Sequence, residues 1–241
     1  WNLNSTVAFI GDMNWETGQF VVDSYDEIDG GLDFYAPQTC QGPNGERYMV
    51  AWMQMWQRSI PSHDLGHGWA GSMTVPRKLG LRDGRLVQEL PESVKDHFLV
   101  ENAPETIVKG NQITIPARGK QTLFEIGAKS GRSFILSYGN ESDADSALQL
   151  IYDASNKRFS LSRDQFGYLI SGKESPEIQS RWIQLDGEKD HHFSILRDTN
   201  SIEVFVDGKT LSMTFYETTE NPVYTFKADE GVDLVVKTYQ K

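Results

Sequence analysis

The residues best placed to do chemistry lie between Asp29 and Leu79, in three phrases: DGGLDFYAPQ (29–38), AWMQMW (51–56) and GWAGSMTVPRKL (68–79). Each sets aromatic rings and polar or charged groups beside Gly or Pro, a mixture suited to a carbohydrate pocket. A carboxylate accepts two hydrogen bonds at once and so matches two neighbouring hydroxyls of a sugar ring. Asp29 and Asp33 flank Gly30-Gly31 and read in two ways. They are either solvated loop carboxylates ahead of a strand or acceptors for sugar hydroxyls. With a strand starting at Asp33, alternation turns Asp33 and Tyr35 to one side and Phe34 to the other. Trp52 falls inside a strand and faces a core, whereas Trp56 falls in the loop beyond it. There Trp56 either covers a core edge or offers a flat apolar face to a sugar.

Other candidates carry less. His63 and His67 stand four apart, which suits a metal only on a helix, and Pro61 and Gly66 argue against one. They are expected to be loop histidines, with no metal and no cofactor. His191 and His192 open a strand and point to opposite faces, which disfavours shared ligation. There is no nucleophile elbow, phosphate loop or dinucleotide fingerprint. Asn4 and Asn140 fit the glycosylation pattern, which is common by chance.

The elements that must position these residues are short strands separated by turns. Strands are expected at Thr6–Gly11, Gln19–Val22, Asp33–Thr39, Arg47–Met53, Ser72–Lys78 and Arg85–Glu89. Pro91–Asp96 is the best helix, a connector with Pro at its start and Glu behind it. From about Phe98 further strands are expected: Gln112–Pro116, Gln121–Ala128, Arg132–Tyr138, Leu148–Asp153, Arg158–Leu161, His191–Arg197, Ile202–Val206, Thr210–Phe215, Val223–Lys227 and Val232–Thr238. Ile202–Val206 alternates like a half-buried strand, and Asp207-Gly208 turns it into a hairpin. The first part reads as antiparallel sheet in a sandwich, barrel or propeller, and the second as a two-sheet sandwich.

The totals exclude several classes. At 241 residues the chain is one large all-β domain or two modest ones. A net charge of −11 argues against nucleic acid, whose phosphates need a basic surface, and against anionic membranes. A single cysteine, Cys40, allows no internal disulfide and fits a reducing compartment. No apolar run approaches the roughly 20 residues that span a bilayer. The opening Trp1-Asn2-Leu3-Asn4 reads as mid-pattern, so the chain is expected to be the later part of a longer polypeptide.

Taken together the three phrases resemble glycoside hydrolase family 32, which includes invertases, sucrose-6-phosphate hydrolases, inulinases and levanases. The resemblance rests on Asp33–Gln38, Trp52-Met53 with Trp56, and Gly68–Leu79. It continues through Asp83–Gln88, Phe124–Ile126, Leu196–Asp198 and Ser201–Gly208, and so covers nearly the whole chain. It implies an all-β fold: the last blades of a five-bladed β-propeller in residues 1–90, a connector at 91–98 and a C-terminal β-sandwich at 99–241. It implies a retaining β-fructosidase acting on sucrose, sucrose 6-phosphate or a fructan, cytoplasmic and bacterial. The family's Asn-Asp-Pro-Asn, Arg-Asp-Pro and Glu-Cys motifs, which hold its three catalytic carboxylates, do not occur here. No catalytic residue is therefore expected in this chain, and the missing N-terminal propeller segment, as a second chain or as a lost part, is its expected partner. The resemblance places Asp33, Tyr35, Trp56 and Asp29 at the substrate; Gly30 stands where an aromatic is typical. For a phosphate on the sugar, Arg58 and Lys78 are the nearest candidates. The alternative is a non-catalytic fructan-binding or assembly module.

Overall fold

The computed structural model describes residues 5–53, 58–98, 106–108, 112–117, 119–141, 146–172 and 178–239. It is nearly all β-structure. The order is β1 (Val7–Asn14), β2 (Gln19–Glu27), β3 (Tyr35–Gln41), β4 (Arg47–Trp52), α1 (Pro61–Asp64), β5 (Arg77–Arg82), β6 (Arg85–Glu89) and α2 (Glu92–His97). Then follow β7 (Thr106–Val108), β8 (Gln112–Pro116), β9 (Gln121–Ala128), β10 (Phe134–Gly139), β11 (Leu148–Asp153), β12 (Arg158–Ser162) and β13 (Ser180–Gln184). The last are β14 (His191–Arg197), β15 (Ser201–Val206), β16 (Lys209–Thr214), β17 (Val223–Ala228) and β18 (Val232–Tyr239).

Among the described residues four sheets result: the hairpin β1-β2, a four-stranded β3-β4-β5-β6, and two six-stranded sheets, β13-β12-β11-β10-β17-β8 and β16-β15-β14-β9-β18-β7. The six-stranded pair encloses one large core. Alternation supplies it: Leu148, Leu150 and Tyr152 from β11, Phe159 and Leu161 from β12, and Phe124 and Ile126 from β9 all face inward. Phe134 sits among Tyr152, Phe159, Phe193 and Phe226, edge-on to Phe193 at 5.0 Å.

The Asp207-Gly208 turn forms as the sequence implies. Both residues have positive φ, 54° and 81°, and Val206 pairs with Lys209 across them. β15, however, is buried along its whole length, where half-burial was expected. One face joins the large core. The other carries Glu203 and Phe205 against the segment from Val75 to Phe98, where Leu90, Phe98, Leu123, Leu196 and Phe205 form a second cluster. Strand β5 begins at Arg77, five residues after the expected start, and α1 is a single turn that the sequence did not suggest. Gly66 with φ 68° follows α1, so His63 and His67 do not share a helix. Neither β7 nor β13 was foreseen.

Candidate functional site

The loop Ile28–Phe34 runs along the free edge of β16, and its sequence is built for that job. The backbone N–H of Gly30 donates to the Thr210 carbonyl (2.8 Å), and that of Leu32 to the Ser212 carbonyl (3.0 Å). Between these, carboxylates take the outward N–H groups. Asp29 Oδ1 accepts from Ser212 N (2.9 Å), and Asp33 Oδ2 accepts from Thr214 N (2.8 Å). An edge strand's unpaired amides are thereby satisfied without a further strand. Gly31 permits the approach, because a Cβ there would lie 2.0 Å from the Ser212 carbonyl oxygen.

Two ion clusters stand on this edge. In the first, Arg77 is wholly buried and donates through Nη1 to Asp29 (2.8 Å), Gln88 (3.0 Å) and Thr210 (2.8 Å). Its Nη2 donates to Glu203 (2.9 Å) and Ser212 (3.0 Å). Its guanidinium lies 4.9 Å from the Phe34 ring centre and 5.7 Å from that of Phe205. Glu203 also accepts from Val75 N (2.7 Å). In the second cluster, Asp33 accepts from Arg163 (2.5 Å) and Arg58 (3.2 Å) and from the Thr214 hydroxyl (2.9 Å). The first cluster has one cation and two anions, the second two cations and one anion, so three acids balance three bases along one seam.

Burial and pairing pull these groups' proton affinities in opposite directions. Desolvation works to lower the Arg77 pKa, but the charges of Asp29 and Glu203 outweigh it and raise it. Glu203 is pushed up by desolvation, with Arg77 opposing. Arg163 is pulled down by desolvation, only partly offset by Asp33. Breaking such a pair leaves a buried charge, at about 3–5 kcal/mol.

Of the four residues expected at a sugar, the structure brings Asp29 and Asp33 together on this seam, 4% and 2% exposed. Their oxygens face Arg, Ser and Thr donors of the protein itself. Asp33 precedes β3 and does not stand in the strand beside Tyr35. Tyr35 opens β3, half-buried, opposite Trp52, with ring centres 6.4 Å apart. Trp56 lies outside the described residues. Arg58 is committed to Asp33 and to the Leu32 carbonyl (3.2 Å), while Lys78 is exposed on β5. The seam partners Arg77, Glu203 and Arg163 were not foreseen. One signal was present: Glu203 interrupts the apolar run Ile202–Val206, and a carboxylate there needs a buried donor.

Among the described residues no group of three or more His, Cys, Asp or Glu is placed to hold a metal, and no helix is long and apolar enough to cross a membrane. His191 pairs with Asp207 (2.8 Å) and His192 with Glu125 (2.6 Å), on opposite faces of β14.

Comparison with known proteins adds what geometry alone does not. Residues 2–90 match the model for the glycosyl hydrolases family 32 N-terminal domain, and residues 88–240 match that for the family's C terminal. A sucrose-6-phosphate hydrolase of Escherichia coli is 29% identical over 230 residues, covering 92% of this chain and 45% of that protein. A raffinose invertase of the same species is 31% identical, covering 90% and 44%. The solved structure of a sucrose-6-phosphate hydrolase from Lactobacillus gasseri superposes with a TM-score of 0.82 at 21% identity, covering 96% of this chain and 46% of that one. A family 32 β-fructofuranosidase of Bombyx mori gives 0.78 at 19% identity, covering 98% and 47%. The chain thus spans less than half the length of each of these four proteins.

Proposed function

Because the chain belongs to glycoside hydrolase family 32, we propose that it is the C-terminal portion of a retaining β-fructosidase acting on sucrose, sucrose 6-phosphate or a fructan. The observation that carries this reading is coverage. The two family models follow one another along the chain, while its relatives are much longer. In this reading residues 1–90 supply the last blades of a five-bladed propeller, 91–98 the connector and 99–241 the sandwich. The hairpin β1-β2 supports it. Phe9 is 58% exposed, Trp15 85% and Tyr25 59%, as expected of a blade whose neighbours are elsewhere.

Retaining hydrolysis needs two carboxyls about 5 Å apart, one as nucleophile and one as acid/base. None of the family's catalytic motifs stands in residues 1–241, so both carboxyls come from polypeptide outside them. What this chain supplies is a wall of the pocket. Tyr35 and Trp56 meet the sugar, and Asp29 and Asp33 act at one remove, fixing against β16 the loop that leads into Tyr35. Contacts of this kind orient the substrate without breaking its bond. The test is kinetic, on the chain complemented by a family 32 N-terminal segment. Tyr35→Ala is expected to raise KM for sucrose about tenfold, as loss of one stacked or hydrogen-bonded sugar contact would. An unchanged KM removes Tyr35 from the pocket.

A further inference from the structure

A cleft of about 550 Å³ opens on the other side of the Gly30 loop, between the end of β2, the β5–β6 turn, the edge strand β13 and the β15–β16 turn. That volume falls in the range of ligand sites, roughly 300–1,000 Å³. Its walls meet closely at two glycines. A Cβ on Gly30 would lie 2.2 Å from Ile183 Cγ2, and one on Gly208 would lie 2.8 Å from Val87 Cγ1. Gly30 thus lets the loop close on β13. Larger residues at either glycine would push the walls apart.

Trp182 on β13 borders the cleft and is 48% exposed. The Arg158 guanidinium lies 4.2 Å from its ring centre, so the indole is held in place by a cation on one face. An exposed, fixed indole is a platform for the apolar face of a ring-shaped polar ligand. The charges narrow the choice. Five carboxylates and four bases line the cleft, and three of the bases are already matched: Lys189 with Asp207 (3.2 Å), Lys209 with Asp186 (3.1 Å) and Arg82 with Glu89 (3.4 Å). An anion would meet a lining with one carboxylate more than bases, and with three of its four bases already paired. A neutral polyhydroxyl chain would find a ring platform, carboxylate acceptors such as Asp26 and Asp83, and a donor in Arg85.

We propose that this cleft, whose lining does not include Tyr35, is a binding site for neutral oligosaccharide with Trp182 as its stacking platform. The inference stands on the cleft's own chemistry and survives failure of the fructosidase reading. Affinity electrophoresis of the full chain tests it, using native gels containing inulin, levan, amylose or, as an anionic control, dextran sulfate. Retardation by at least one neutral polymer is expected, and none by dextran sulfate. Trp182→Ala is expected to weaken the apparent affinity about tenfold or more, with Trp182→Phe retaining most of it. Tyr35→Ala is expected to leave this binding unchanged. A melting curve for each variant separates lost binding from lost fold, and the Phe variant keeps the test informative if the Ala variant melts early. Absence of retardation by every neutral polymer, or retardation that Trp182→Ala leaves intact, overturns the proposal. Loss in Tyr35→Ala alone would overturn it too, assigning the binding to the pocket wall.

Discussion

Arg77→Met gives the sharpest test of the seam. Arg77 is 0% exposed and donates five hydrogen bonds at 2.8–3.0 Å, two of them to carboxylates. Methionine fills much of the same space without charge or donors. It leaves Asp29 and Glu203 buried together with no cation, and the expected cost is about 3–5 kcal/mol. Glu203→Gln is expected to cost far less, about 1 kcal/mol. The cluster carries one negative charge in excess, so neutralising one acid leaves a balanced Arg77–Asp29 pair. The raised pKa of Glu203 points the same way. A carboxyl whose folded pKa lies above its unfolded value contributes stability below the unfolded pKa, and loses it as pH rises through the folded one. Glu203→Gln is therefore expected to flatten the fall in stability above the ordinary glutamate range. The assay is urea unfolding followed by tryptophan fluorescence. With a slope of roughly 3 kcal/mol/M, Arg77→Met should shift the midpoint down by about 1 M or more. A shift below about 0.3 M, or equal shifts for Arg77→Met and Glu203→Gln, would refute the charge-balance reasoning.

Three further outcomes follow from the same geometry. In the second cluster the excess is positive, so Asp33→Asn, which strands Arg163 and Arg58, should cost about 3–5 kcal/mol. Arg58→Ala should cost no more than about 2 kcal/mol, both by denaturant titration. Gly31→Ala drives a methyl into the Ser212 carbonyl and should destabilise by about 1–3 kcal/mol or more, seen as a lowered melting temperature. Asp153 has its pKa drawn down to about 2 by hydrogen bonds from Ser155 and Asn156. Its contribution is present above the ordinary aspartate pKa and lost as pH falls toward 2, so Asp153→Ala should show a shallower acid loss of stability than the parent.

Local signals were legible in the sequence wherever they were sufficient. Strand alternation in β11 and β12 set the large core, and Asp207-Gly208 set its hairpin, because each depends on neighbours a few residues apart. The seam was not legible, because Asp33 meets Arg163 and Asp29 meets Ser212 across more than a hundred residues. Acceptance from hydroxyls was inferred for the two aspartates with a sugar as the donor. In the structure those hydroxyls belong to Ser212 and Thr214, and a list of residue types does not distinguish them from a sugar's. The half-burial expected of β15 failed for a related reason. Alternation marks which residues face inward, and what covers the other face is written elsewhere in the chain.

We propose that this chain supplies a pocket wall to a fructosidase whose cleaving carboxylates lie outside residues 1–241. Fructose release from sucrose measures it directly, with the purified chain assayed alone and then with a family 32 N-terminal segment carrying Asn-Asp-Pro-Asn, Arg-Asp-Pro and Glu-Cys. No turnover is expected from the chain alone, and turnover is expected on complementation. Turnover by the chain alone would contradict the proposal.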